Sequence, residues 1–361
     1  MGASGDPTDI GGLPRHCRTV ADRAFRHRAS AANETQVIGP VAVLHRADGA
    51  LRRLIGEVAG PELELRFPAD TAPETLTATV KDARYVVVHS VKLTEALLAR
   101  AQRVELIHRW GTGLDGFPIR AMQARGIVAA RTFGTNAPSV ADLTLGLMLA
   151  VLRRVPQAQS EVRRGPVSKG ALWTDARDLT GRRVALVGFG RIGQAVARRL
   201  RGFDCDVMCV TRSGVSPEPA LARAVPLAEA LGTAEVLSLH VPLTAETRHV
   251  LGRRELGQMQ RGAVVINTAR GALVDETALE QALRTGQIAA AGLDVFVQEP
   301  VATDHPLLAL PNVLALPHIG GATRDNLVRQ VRHWAGNIGR HHRGEPLAVE
   351  DLVGQDGPGG P

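Results

Sequence analysis

The chain has 361 residues, 44% of them hydrophobic and only 3% aromatic, with 43 basic and 36 acidic side chains for a formal net charge of +7. That length suits two domains with separate cores, built from Val, Leu, Ile and Ala rather than from aromatic rings. Forty of the 43 basic residues are Arg, scattered among acids, which argues against a nucleic-acid stripe; no uncharged apolar stretch reaches bilayer length and no apolar signal core is present, so a cytoplasmic protein without nucleic-acid or membrane partners is expected.

Residues 1–36 mix Gly, Pro, Ser, Arg and Asp without periodicity and read as a disordered leader. From Val37 a strand–helix alternation begins, with strands predicted at 40–44, 63–67, 85–89, 104–108 and 127–130 and a helix at 94–101. Alternation of this kind implies a parallel sheet covered by helices. A long apolar helix over 139–152 follows. A second alternating run then places strands at 184–187, 206–210, 236–239, 263–267, 289–293 and 313–315, enough for one complete dinucleotide-binding domain. The last helix, 325–340, is expected to return to the first domain, and the Gly- and Pro-rich tail from Gly354 reads as flexible.

The segment V-A-L-V-G-F-G-R-I-G at 184–193 carries the most specific chemistry. An apolar strand breaks into Gly188, Gly190 and Gly193, and Ile192, Val196 and Leu200 then recur at helical spacing. Gly188 permits the tight turn, Gly190 lets the backbone approach a pyrophosphate, and Gly193 lets helix and strand pack closely. The helix N-terminus favours the negative charge. About 20 residues on, where an NAD site places a carboxylate on the ribose, the next strand ends in Thr211-Arg212-Ser213. Arg212 can pair with a 2′-phosphate, with Thr211 and Ser213 as hydroxyl donors, so NADP(H) is preferred and NAD(H) is the alternative.

Polar residues stand at the ends of three consecutive strands in the second half: Asn267 to Gly271, Asp294 to Pro300, and His318 to Gly321. The carboxyl ends of strands in an open parallel sheet line its ligand crevice, so these side chains are candidates to converge. The three cysteines make no framework. Cys205 and Cys209 share a strand about 13 Å apart, and Cys17 lies in the leader. Adjacent His341 and His342 point apart and read as solvated surface rather than a metal site.

In order and spacing, G-F-G-R-I-G at 188–193, H-V-P-L-T-A-E-T at 240–247, N-T-A-R-G at 267–271, Asp294 with Glu299-Pro300, and P-H-I-G-G at 317–321 resemble the D-isomer-specific 2-hydroxyacid dehydrogenase family. Gly111-Thr-Gly113-Leu-Asp115 and Asn136 to Asp142 join them, and the resemblance spans Val37 to Val353. Asp142 stands where the family often has Glu, and Thr211-Arg212-Ser213 replaces the usual acid. The resemblance implies an α/β protein of two Rossmann-like or flavodoxin-like domains with parallel sheets and an active site in the interdomain cleft. The substrate domain would be 37–143 with 325–353, and the dinucleotide domain 144–324.

The resemblance also implies roles. His318 is the candidate acid, Glu299 its orienting partner, and Arg270 the cation for the substrate carboxylate, with the N–H groups of Thr112 and Gly113 holding its far oxygens. Asp294, Thr268 and Ala269 would line the nicotinamide. Arg191, Ile192, His240, Pro242, Thr247, His318 and Gly320 complete the cofactor set. No metal is implied. The implied reaction reduces a small 2-oxo acid, of the glyoxylate or hydroxypyruvate type, to a D-2-hydroxy acid, and a homodimer is expected. A phosphoglycerate dehydrogenase-like enzyme and a dinucleotide-sensing, corepressor-like binding protein are the alternatives.

Overall fold

The computed structural model describes residues 37–114, 116–165 and 170–354. The expected leader, Asp115 and the tail beyond Gly354 lie outside the described residues. The chain divides into two units: one runs to Thr132 and resumes at Val331, the other spans Phe133 to Gln330.

The first unit alternates β1 (Ile38–Leu44), α1 (Gly49–Ala59), β2 (Leu63–Arg66), α2 (Pro73–Val80), β3 (Tyr85–Val88), α3 (Glu95–Arg100), β4 (Leu106–Arg109), α4 (Ile119–Ala124) and β5 (Val128–Arg131). All five strands are parallel, in the order β2-β1-β3-β4-β5, the flavodoxin-like arrangement. Val41 to Leu44 and Tyr85 to Val88 are buried throughout. Their unbroken apolar runs reflect a sheet covered on both faces. Asp48 caps α1 by accepting the Leu51 N–H at 2.8 Å, and Thr94 caps α3 by accepting that of Leu97 at 3.2 Å.

From Val331 onward the last helix (Arg324–His342) belongs to this unit. Fully buried Trp334 packs against Trp110, and Asn337 donates to His108 Nε2 and to Asp351 Oδ2, both at 3.1 Å. His108 Nδ1 donates to the Arg109 carbonyl at 3.1 Å. Burial pushes the His108 ring down to about 3, so it stays neutral at physiological pH. His341 and His342, expected on the solvated surface, are instead half-buried against Tyr85. Its ring meets that of His341 edge-on at 5.9 Å, and its hydroxyl lies 3.2 Å from His342 Nδ1.

The second unit opens with α5 (Ala137–Leu152), which is predominantly apolar and buries ten of its 16 residues. This helix belongs whole to the second unit, so the division falls ahead of it rather than at residue 143. There follow α6 (Val155–Arg164), α7 (Gly170–Asp175), β6 (Arg183–Val187), α8 (Arg191–Leu200), β7 (Asp206–Val210), β8 (Arg223–Ala224), α9 (Leu227–Thr233), β9 (Val236–Leu239), α10 (Arg253–Gln258), β10 (Ala263–Asn267), α11 (Glu276–Arg284), β11 (Ile288–Leu293) and β12 (Val313–Ala315). The parallel order β12-β11-β10-β9-β6-β7-β8 is the doubly wound dinucleotide-binding arrangement, with its switch point between β6 and β9. Six strands were expected and seven are present among the described residues. The addition, β8, pairs only Arg223 and Ala224 with β7 and is too short to carry a periodic signal. Apolar clusters cover both faces of the sheet, one under α9 to α11 and the other under α5 and α8.

Candidate active site

The glycine turn lies at the switch point. Gly188 has φ +98°, and a Cβ there would lie 2.5 Å from the His240 carbonyl oxygen. A Cβ on Gly193 would lie 2.4 Å from the Gly188 oxygen. Only glycine fits either position. Gly190, the N-cap of α8, instead faces open space, with no atom within 4 Å of where a Cβ would stand. A tight turn, a close helix–strand approach and room above a ten-residue helix N-terminus fit a dinucleotide pyrophosphate. Arg191 and Ile192 open that helix, and the Arg191 guanidinium stacks over the Phe133 ring at 4.9 Å.

Around the turn, polar side chains fix the neighbouring loops. His240, at the end of β9, has its Nε2 2.9 Å from the Ser238 hydroxyl, and burial pushes its ring down to about 4. The Thr247 hydroxyl donates to the Pro242 carbonyl and accepts the Thr244 N–H, both at 2.7 Å, which closes the 242–247 loop. At the end of β7, Arg212 is exposed, whereas the hydroxyls of Thr211 and Ser213 donate to the Val215 carbonyl at 3.0 and 3.3 Å. The two hydroxyls therefore shape the loop that presents Arg212.

Beyond β10, Asn267 organises its own turn by donating to the Arg270 carbonyl at 2.8 Å and accepting the Ala269 N–H at 3.0 Å. Arg270 is half-buried, and its Nη1 donates to the Ala269 carbonyl at 2.7 Å. The Thr268 hydroxyl meets that of Thr144 on α5 at 3.0 Å, while Thr144 donates to the Val140 carbonyl. Beyond β11, the buried Asp294 carboxylate accepts the N–H groups of Ile319 and Gly320 at 2.8 and 2.7 Å. Burial raises its pKa, opposed by those two N–H groups and by His318.

The loops after β11 and β12 meet at the histidine. His318 Nδ1 donates to Glu299 Oε2 at 2.7 Å, and the His318 N–H donates to the Asp294 carbonyl at 2.8 Å. His318 has φ +56°, a left-handed backbone that is uncommon for a residue with a side chain. The other Glu299 oxygen accepts the Phe296 N–H at 3.1 Å. Gly271 closes the group from the Arg270 side, since a Cβ there would lie 2.0 Å from the Phe296 carbonyl carbon. Arg270, Asp294, Glu299 and His318 thus sit on abutting loops at the ends of three adjacent strands.

Thr112 and Gly113 lie in the first unit, after β4. There the Thr112 hydroxyl donates to the Thr132 carbonyl at 3.1 Å, and Arg109 Nε donates to the Gly113 carbonyl at 3.2 Å. Sequence reasoning missed Ser238, Thr144, Glu276 and His305 as partners of the second unit's site. Glu276 sits in an ordinary helix-start pattern, and none of the four lies within the motifs read from the sequence.

A family model described as the D-isomer specific 2-hydroxyacid dehydrogenase NAD binding domain matches residues 145–320. A D-3-phosphoglycerate dehydrogenase from Methanocaldococcus jannaschii is 37% identical over 275 residues, covering 73% of this chain; the chain spans about half of that relative's length, 50%. A glyoxylate reductase from Korarchaeum cryptofilum is 36% identical over 291 residues, covering 76% of this chain and 87% of its own. Among solved structures, a D-lactate dehydrogenase from Aquifex aeolicus complexed with NAD and lactic acid aligns with a TM-score of 0.75 at 26% identity, over 88% of this chain and all of that one. Motif order, sheet topology and these likenesses agree: the chain belongs to the D-isomer-specific 2-hydroxyacid dehydrogenase family.

Proposed function

We propose that this protein reduces a small 2-oxo acid of the glyoxylate or hydroxypyruvate type to the D-2-hydroxy acid, with NADPH preferred over NADH. The observation that carries the reading is the 2.7 Å His318–Glu299 pair on loops beside the glycine-turn domain's Asp294. Bound at the glycine turn, the reduced nicotinamide supplies the hydride to the carbonyl carbon. His318 gives a proton from Nε2 to the ketone oxygen, and Glu299, accepting from Nδ1, fixes the ring and offsets its charge. The Arg270 guanidinium matches the two oxygens of the substrate carboxylate and polarises the adjacent ketone. Gly188, Gly190, Gly193 and Asp294 would hold the cofactor, and Thr268 and Ala269 would line its ring.

The NADPH preference rests on Arg212, exposed at the end of β7 where a ribose-binding carboxylate would otherwise stand. Its guanidinium suits a 2′-phosphate. A phosphoglycerate dehydrogenase-like activity is the second reading, supported by the 37% identity to the Methanocaldococcus enzyme. A homodimer built through the dinucleotide-binding domain and the helix that precedes it, α5, belongs to the first reading. It is supported by α6, which buries none of its residues, and by Val155, Val162 and Trp173, exposed by 52%, 66% and 85%.

The deciding experiment follows NADPH and, separately, NADH oxidation over a panel headed by glyoxylate, hydroxypyruvate and a phosphorylated hydroxypyruvate. Turnover with an NADPH preference supports the reading. Turnover confined to the phosphorylated substrate moves it to the second. Tight cofactor binding without turnover on any oxo acid leaves the dinucleotide-sensing alternative.

A further inference from the structure

Behind the His318–Glu299 pair stands a second histidine–glutamate pair. Glu276 is the first residue of α11, a position where an acid usually serves the helix terminus. That task is already met, because the Asp275 side chain accepts the Ala278 N–H at 3.0 Å. The Glu276 carboxylate instead turns to the catalytic loop and accepts the Val297 N–H on Oε1 at 2.8 Å. Its other oxygen lies 3.3 Å from His305 Nε2. The Leu307 N–H donates to His305 Nδ1 at 3.4 Å, which assigns the ring proton to Nε2, directed at Glu276. The His305 ring also meets the buried Phe296 ring edge-on at 5.5 Å. The side chains of Glu276 and His305 are 20% and 21% exposed.

The two pairs share one stretch of backbone. The Val297 N–H goes to Glu276, and the preceding Phe296 N–H goes to Glu299 Oε1, whose partner oxygen receives His318. The peptide between Phe296 and Val297 also rests on the bare face of Gly271. We propose that Glu276, backed by His305, is a positioning residue: it locks the Phe296–Val297 backbone and so aims the Glu299 carboxylate at His318. Glu276 touches neither substrate nor cofactor in this role and acts only through Glu299. The inference rests on the reading of His318 and Glu299 as the acid and its orienting partner.

The test compares Glu276→Ala, Glu276→Gln and His305→Ala with the wild-type full chain, with Glu299→Gln as a second background. The first readout is the low-field NMR resonance of the His318 Nδ1 proton, assigned by its absence in His318→Gln. This proton is expected to be lost or broadened in Glu276→Ala and retained in Glu276→Gln, whose carbonyl can still accept the Val297 N–H. The second readout is turnover of glyoxylate with NADPH. Glu276→Ala should lower kcat on the order of tenfold to a hundredfold, as for a small misplacement of a reacting group. KM and cofactor Kd should stay within about twofold, Glu276→Gln should recover most of the rate, and the Glu299→Gln background should show no further loss.

An intact His318 resonance in Glu276→Ala overturns the proposal, as does a rate loss that multiplies in full with that of Glu299→Gln. If Glu276→Ala does not fold, His305→Ala decides by the same resonance and rate, and wild-type values for both overturn it. Loss of the resonance in a protein that turns over no 2-oxo acid upholds the positioning role and removes the reductase reading instead.

Discussion

Glu299 and His318 stand 19 positions apart in the chain, yet a 2.7 Å hydrogen bond joins the carboxylate to Nδ1. The bond fixes the proton on one ring nitrogen. Because the carboxylate can only accept, Nδ1 carries a proton, and under the proposed function Nε2 is the atom that would exchange one with a substrate. The left-handed backbone at His318 and the Asp294 carbonyl on its N–H hold the ring there. Strain of this kind persists where the surroundings over-determine it.

His318→Gln tests the proton donor. Glutamine can keep a hydrogen bond near Glu299 but cannot deliver a proton near neutral pH. We expect kcat to fall by about a hundredfold to ten-thousandfold, the range for one general acid, with cofactor Kd nearly unchanged by fluorescence titration. An equal loss of cofactor affinity would remove His318 from that role.

Arg212→Asp tests the cofactor preference. The substitution replaces a phosphate partner with a charge that repels phosphate and suits ribose hydroxyls. The NADPH-to-NADH ratio of kcat/KM should fall about tenfold to a hundredfold, in line with about 1.5–3 kcal/mol for one charge-assisted hydrogen bond. An unmoved ratio means that Arg212 does not read the 2′-position.

Gly271→Ala tests the loop contact beside Arg270. The added methyl would lie 2.0 Å from the Phe296 carbonyl carbon, so the 296–299 loop must move. Thermal unfolding and kcat should both fall, with destabilisation of about 1–3 kcal/mol or more from overpacking. Wild-type activity and Tm would contradict the close approach.

Stability should decline on the acid side. Burial pushes His108 down to about 3 and His240 down to about 4. Above about pH 6.5, the ordinary value for an unfolded histidine, both are neutral in both states and contribute nothing to the pH dependence. Below it the unfolded chain binds protons that the folded chain does not, so stability falls as pH drops towards those depressed values. Each group contributes a slope of up to about 1.4 kcal/mol per pH unit. Urea unfolding at pH 7.5, 6 and 5 checks this, and equal midpoints would show that the two rings are not held neutral.

The local pattern carried much of this protein. Unbroken apolar runs such as Tyr85 to Val88 specify strands covered on both faces, and the Gly188, Gly190 and Gly193 spacing specifies the turn, because backbone sterics and strand burial act over a few residues. Arg270, Asp294, Glu299 and His318 were legible because each follows a readable strand, and parallel strands deliver their ends to one edge.

Long-range contacts decided the rest. Strand order, the edge strand β8, the burial of His108 beneath Asn337, and the hydrogen bonds of the Thr211 and Ser213 hydroxyls to the Val215 carbonyl all depend on neighbours distant in sequence or on loop geometry. Glu276 shows the difference most plainly. In sequence it is an acid at a helix start, a position explained by the helix dipole alone. Only the packing of α11 against the 296–299 loop turns its carboxylate to the Val297 N–H, and no local pattern encodes a hydrogen bond between residues 21 positions apart.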